Sequence, residues 1–185
     1  VSLYVDSKDR LWIGTNDSGA FVMDKGEYTQ FNKEDGLRSL SVRAFSEDKD
    51  GNIYIATTKG ISVLDSDLKL TAIKDEKIAD AYVWEINAGS DGTLYCNTNN
   101  NEVFTLKDGR LDEYYTADDL GISDATCITP DDNDPGMVYI GTEESTVYHG
   151  TLSEKLNDKT SVDMAPLSYC KSITPIDDQV WVTTD

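Results

Sequence analysis

The sequence predicts an all-β chain of stacked four-stranded antiparallel sheets, and three observations predict it. One pentapeptide type recurs five times, as Leu11-Trp12-Ile13-Gly14-Thr15, Ile53-Tyr54-Ile55-Ala56-Thr57, Leu94-Tyr95-Cys96-Asn97-Thr98, Val138-Tyr139-Ile140-Gly141-Thr142 and Val180-Trp181-Val182-Thr183-Thr184. The closing threonines lie 42, 41, 44 and 42 residues apart, the kind of fixed period that marks a repeat array. Between the copies, short alternating or continuous apolar runs are separated by turns rich in Asp, Asn and Gly, and no segment carries a convincing amphipathic helical pattern.

The second repeat shows the unit most clearly. Val42 to Glu47 alternates and reads as a strand, Asp48 to Asn52 is a turn, and Ile53 to Thr57 is a nearly continuous apolar strand. Thr58-Lys59-Gly60 turns the chain into Ile61 to Leu64, and Asp65-Ser66-Asp67 turns it again into Leu70 to Ile73. In the first repeat the strands fall at Ser2 to Asp6, Leu11 to Thr15, Ala20 to Met23 and Tyr28 to Phe31. In the third they fall at Trp84 to Ala88, Leu94 to Thr98, Val103 to Leu106 and Leu111 to Tyr115. The fourth loosens after Val147 to His149, with a polar outer segment around Leu156 to Thr160.

Such a unit cannot bury two apolar faces alone, yet its second strand is apolar at successive positions and therefore needs cover on both sides. Face-to-face stacking of successive sheets supplies it, which makes the array a β-propeller with the first strand of each blade at the hub. The expected blades span 1–41, 42–82, 83–125 and 126–169, with a partial fifth at 170–185. The small residue near the end of the pentapeptide, Gly14, Ala56 or Gly141, is expected to let the adjacent blade approach closely.

The stretch Asp48-Lys49-Asp50-Gly51-Asn52-Ile53-Tyr54-Ile55-Ala56-Thr57-Thr58-Lys59-Gly60-Ile61, its counterpart Asp6 to Thr15, and the linking segment Asp35 to Val42 resemble the two-component regulator propeller repeat. The pattern departs from the family at Asn97 and at Glu143-Glu144-Ser145, where a small residue or a turn glycine is expected. The resemblance implies the extracytoplasmic sensor of a membrane-bound bacterial signalling protein: a histidine kinase, a hybrid two-component system or a diguanylate cyclase. It also implies a larger ring, commonly of seven blades, which at this period takes about 290 residues, so the chain is expected to be a fragment of one. The end faces around Trp12 and Trp181 are then expected to be uncovered and to favour self-association.

Composition narrows the partners. With 35 acidic against 16 basic residues and a net charge of −19, the chain has the wrong sign for nucleic acid or an anionic membrane surface. No run reaches the roughly 18 apolar residues of a membrane helix, so any membrane attachment is expected through regions outside these residues. Cys96, Cys127 and Cys170 are too few and too scattered for a disulfide framework, and two fall on expected inner strands, where cysteine is usually a small buried apolar residue.

Catalytic and metal patterns are thin. The Asp-rich turns at Asp6/Asp9, Asp48/Asp50, Asp91 and Asp131/Asp132/Asp134 lack the longer loop and bidentate Glu of a calcium site, and Asp is an ordinary hairpin residue. His149, the one histidine, has no nucleophile at a readable spacing, and no metal, cofactor or catalytic residues are assigned. Counting back from the closing threonines, with correction for turn length, reaches Arg43, Trp84, Thr126 and Lys171 at the starts of the inner strands. An aromatic and cationic set at a channel mouth suits a small polar ligand, carbohydrates included. Against that stands a plainer reading, in which Trp84 is packed between blades and Arg43 is a solvated rim charge. Tyr28, Phe31, Tyr82, Tyr114, Tyr115 and Tyr148 read as blade packing. The function expected is a non-catalytic sensor; a WD-repeat-like interaction scaffold and a glycoside-acting hydrolase or lyase are the alternatives.

Overall fold

Five antiparallel sheets follow one another along the chain in the computed structural model, which describes residues 2–164, 169–176 and 179–185. The first contains β1 (Ser2–Val5), β2 (Leu11–Gly14), β3 (Ala20–Asp24) and β4 (Glu27–Phe31). The second contains β5 (Val42–Glu47), β6 (Ile53–Thr57), β7 (Ile61–Leu64) and β8 (Leu70–Ala72). The third is built from β9 (Val83–Ala88), β10 (Leu94–Thr98), β11 (Glu102–Lys107) and β12 (Arg110–Thr116), and the fourth from β13 (Cys127–Pro130), β14 (Met137–Gly141), β15 (Thr146–Thr151) and β16 (Thr160–Asp163). A two-stranded sheet of β17 (Cys170–Ile176) and β18 (Gln179–Thr184) ends the chain. Within each sheet the strands pair in chain order, and the first strands pack on one another from sheet to sheet, β1 on β5, β5 on β9, β9 on β13 and β13 on β17. The architecture is therefore a fan of propeller blades with the first strands at the hub.

Four apolar cores fill the four spaces between successive sheets, and alternation along a single strand feeds two of them. Ile53 and Ile55 of β6 join Trp12, Val22, Phe31 and Phe45 on one side, while Tyr54 and Ala56 join Ile86, Leu94 and Phe104 on the other. All five residues of β6 and of β10 are buried, as cover on both faces requires. The close-approach role of the small residue also holds at two positions. A Cβ on Gly14 would stand 2.7 Å from Val42 Cγ1 in the next sheet, and one on Gly141 would stand 2.3 Å from Cys170 Sγ. Asn97 takes this place in the third sheet and turns the larger side chain to use, its Nδ2 donating to Ala125 O across the interface.

The Asp-rich turns have a common internal geometry. Asp6 and Asp48 each accept backbone N–H bonds from the residues two and four positions on, and each also accepts from the aromatic ring of the following strand, Trp12 Nε1 at 2.8 Å and Tyr54 OH at 3.1 Å. Asp131 repeats the bond with Tyr139 OH across a longer turn. Where the third sheet has Gly89 at the start of its turn, Asp91 accepts from Thr93 instead. The other set of turns needs a left-handed residue, supplied by Gly19 and Gly60 in the first two sheets and by Asn101 (φ 60) and Ser145 (φ 63) in the next two, so the loss of glycine there leaves the turn intact.

Three expectations are corrected. Trp12 is fully buried, because the second residue of the pentapeptide faces the following sheet; the uncovered side of the first sheet carries Leu3 and Val5 instead, exposed by 67% and 60%. Trp181, at the same position in the last sheet, has no following sheet here and is 60% exposed. The outer strand of the fourth sheet begins at Thr160, after a turn in which Leu156 (φ 54) plugs the core, and Tyr28 is exposed instead of packed. A single helical turn, α1 (Ala117–Leu120), which no periodicity marks, is capped by Thr116 and Asp119 and stopped by Gly121.

Candidate functional site

The four residues Arg43, Trp84, Thr126 and Lys171 occupy one structural position. Val42 pairs with Thr57 and Ala44 with Ala56, so Arg43 is the extra residue of a β-bulge. Trp84 is skipped in the same way between Val83 and Glu85, and Lys171 between Cys170 and Ser172. Thr126 stands at the equivalent step, its N–H donating to Gly141 O just before Cys127 pairs with Gly141. A bulge re-aims the side chain it carries and leaves that residue outside the ladder. The count from the closing threonine finds these residues because the start of the inner strand, bulged in the second, third and fifth sheets, sits about one strand-and-turn length upstream.

The four side chains do not converge alike. The Arg43 guanidinium lies 5.1 Å from the Tyr82 ring centre and 5.2 Å from that of Trp84, and the two rings are 4.6 Å apart at 54°. Trp84 remains 39% exposed, so it is neither packed away between blades nor is Arg43 a free rim charge. Arg43 Nε is buried and has no hydrogen-bond partner among the described residues. Thr126 is turned toward the next sheet, its hydroxyl donating to Cys170 O at 2.7 Å. Lys171 is exposed and paired with Asp185. The constellation is thus Arg43, Tyr82 and Trp84, and Tyr82 joins it through the strand-entry segment that counting alone treats as packing.

A second group adjoins it. Glu85, next to Trp84, directs its carboxyl into the interface with the fourth sheet and accepts the Ile128 N–H at 3.1 Å, while Asn87 Nδ2 donates to Ile128 O at 2.7 Å. Burial pushes the Glu85 carboxyl up to about 7, opposed by the Ile128 bond. The equivalent places hold Ala44, Cys127 and Ser172, and this lone acid among small residues is the signal that could have singled Glu85 out. His149 lies elsewhere, stacked on Tyr139 at 4.2 Å with Nε2 3.0 Å from Asp131 Oδ2.

The stacked sheets with their first strands at the hub define a β-propeller, and comparison with known proteins agrees on that fold. The two component regulator propeller family model matches residues 1–17 and 36–59, within the first two blades. No curated protein sequence matches it. Among solved structures, a catalytically inactive virginiamycin B lyase from Staphylococcus aureus with quinupristin superposes with a TM-score of 0.80 at 18% identity, over 98% of this chain and 61% of that one. The extracellular domain of a protein assigned as a hybrid two component system from B. thetaiotaomicron gives 0.75 at 16% identity, over 98% of this chain and 25% of that one. The chain thus spans about three fifths of the lyase and a quarter of that extracellular domain. At these identities the likeness is one of fold.

Proposed function

We propose that the chain is part of the extracytoplasmic sensor propeller of a membrane-bound bacterial signal-transduction receptor, and that it binds a small polar ligand at the hub without transforming it. The observation that carries this reading is the Arg43, Tyr82 and Trp84 constellation: a guanidinium laid against two aromatic rings, with one ring still open to solvent. An exposed indole offers a face for a sugar ring or another flat polar group, and the fixed cation orients its oxygens. The family match within the first two blades supports the signalling role, and the extracellular domain from B. thetaiotaomicron supports the extracellular setting. Titration of the chain with a panel of mono- and oligosaccharides and polar metabolites is expected to quench Trp84 fluorescence, and Trp84→Ala is expected to weaken binding at least tenfold, about 1.4 kcal/mol. A ligand that binds the Trp84→Ala and Arg43→Ala variants unchanged would remove the site from this role.

A second reading, a propeller enzyme, draws on the similarity to virginiamycin B lyase and on the buried Glu85 carboxyl beside the site. It predicts a cleaved or eliminated product in the same titrations, lost in a Glu85→Gln variant. Return of every ligand unchanged after prolonged incubation favours the sensor.

A further inference from the structure

Cys127 and Cys170 are 43 residues apart in the chain and adjacent in space, because that separation is one blade period. Each starts an inner strand, Cys127 in the fourth sheet and Cys170 in the fifth, and their sulfurs lie 3.5 Å apart across the interface between the two sheets. Three features hold them there. Thr126 Oγ1 donates to Cys170 O, Cys170 N donates to Thr142 O at 3.2 Å, and Thr129 Oγ1 donates to Ile173 O at 2.9 Å, so both strands are tied to each other around the sulfurs. Gly141 then leaves the space between them empty: a Cβ on it would stand 2.3 Å from Cys170 Sγ and 2.7 Å from Cys127 Sγ.

The equivalent crossings between the other sheets are occupied by Ser2 and Val42, by Ala44 and Val83, and by Glu85 and Ala125, pairs with no chemistry of joining. At the last crossing alone both partners are thiols. We propose that Cys127 and Cys170 form a disulfide that staples the fourth and fifth blades together at the hub. Reaching a sulfur–sulfur bond of about 2.05 Å from the observed contact takes a closure on the order of 1.5 Å. The co-reactant is a disulfide, whether of low molecular weight or of an oxidoreductase. One cysteine thiolate attacks it and forms a mixed disulfide, and the second cysteine displaces the remaining thiol. Both S–H bonds and the acceptor's S–S bond break, the Cys127–Cys170 bond forms, and two electrons and both protons end on the two acceptor thiols. Because both thiols are sealed from solvent once the sheets pack, the bond forms during folding and afterwards resists reduction. Cys96, buried in the core between the second and third sheets, stays reduced.

The test needs no ligand, so it stands apart from the sensor reading. The full chain is refolded in a glutathione redox buffer, quenched with acid, unfolded and alkylated without reductant. The expected product carries one alkyl group, on Cys96, and yields a proteolytic peptide pair joining Cys127 to Cys170 with a mass two hydrogens below the sum of the reduced peptides. Oxidised protein is expected to melt about 5 °C or more above the same protein refolded under reductant, a gap that vanishes in the Cys127→Ala, Cys170→Ala double variant. Three alkylated cysteines, a link that involves Cys96, or a melting gap that survives in the double variant would overturn the proposal.

Discussion

At the scale of single residues, Glu85 has the most telling environment. Its carboxyl is buried at the hub between the third and fourth sheets, near enough to Cys127, Cys170 and Tyr169 that its charge bears on all three. Burial raises its value from 4.5 to about 7. A carboxyl that holds its proton more tightly folded than unfolded stabilises the fold fully below its unfolded value, and that contribution is lost as the pH climbs through the folded one. Between about pH 4.5 and 7.5, wild type is therefore expected to lose about 3 kcal/mol relative to the Glu85→Gln variant, whose neutral amide still accepts from Ile128. Urea denaturation of both proteins across that range checks it, and the comparison cancels the general repulsion of a chain with net charge −19. Parallel profiles would mean that Glu85 is ionised throughout.

At the scale of elements, the repeating device is the hairpin turn that begins with Asp. Asp48 accepts the N–H groups of Asp50 and Asn52 on one oxygen, and Asn52 Nδ2 and Tyr54 OH on the other, so one carboxylate closes the turn and tethers the next strand. Asp48→Ala removes all four acceptor contacts and is expected to cost about 1–3 kcal/mol, with Asp48→Asn costing less because its amide oxygen can still serve the turn. Chemical denaturation ranks the two, and equal losses would show that the charge, not the turn geometry, carries the effect. Asp residues in these turns were legible as hairpin formers, since local hydrogen bonding needs only local sequence. The aromatic partner six residues on was not, because its reach depends on the twist of the strand that carries it.

At the scale of the whole molecule, stability is divided among interfaces: each core belongs to two sheets, and the two end sheets keep one face open. β2 is buried at alternate positions only, and β18 is largely exposed, against complete burial of β6 and β10. Leu3 and Val5 lie open at one end, and Val162, Val180 and Trp181 at the other. Grouped apolar exposure of this kind favours association, so the 185-residue chain is expected to show concentration-dependent oligomers in sedimentation velocity, reduced by Trp181→Ser. A monomer at every concentration would show that these faces are tolerated in water.

Fold class, the four-stranded unit and the starts of the hub strands follow from the sequence by itself, because a period of strands and turns is a local property written in side-chain alternation. Even the strand-entry residues Arg43, Trp84, Thr126 and Lys171 were reachable by counting from a threonine, since the turn between the first two strands changes little in length. What those side chains then do was decided only by the stacking of sheets. Arg43 meets Tyr82 and Trp84 from a neighbouring blade, Thr126 is drawn off to a carbonyl of the next one, and Cys127 meets Cys170 one full period away. Which face of a blade is covered, and so why Trp12 is buried while Trp181 is not, depends on which neighbour follows it in space, and no alternation along one strand encodes that.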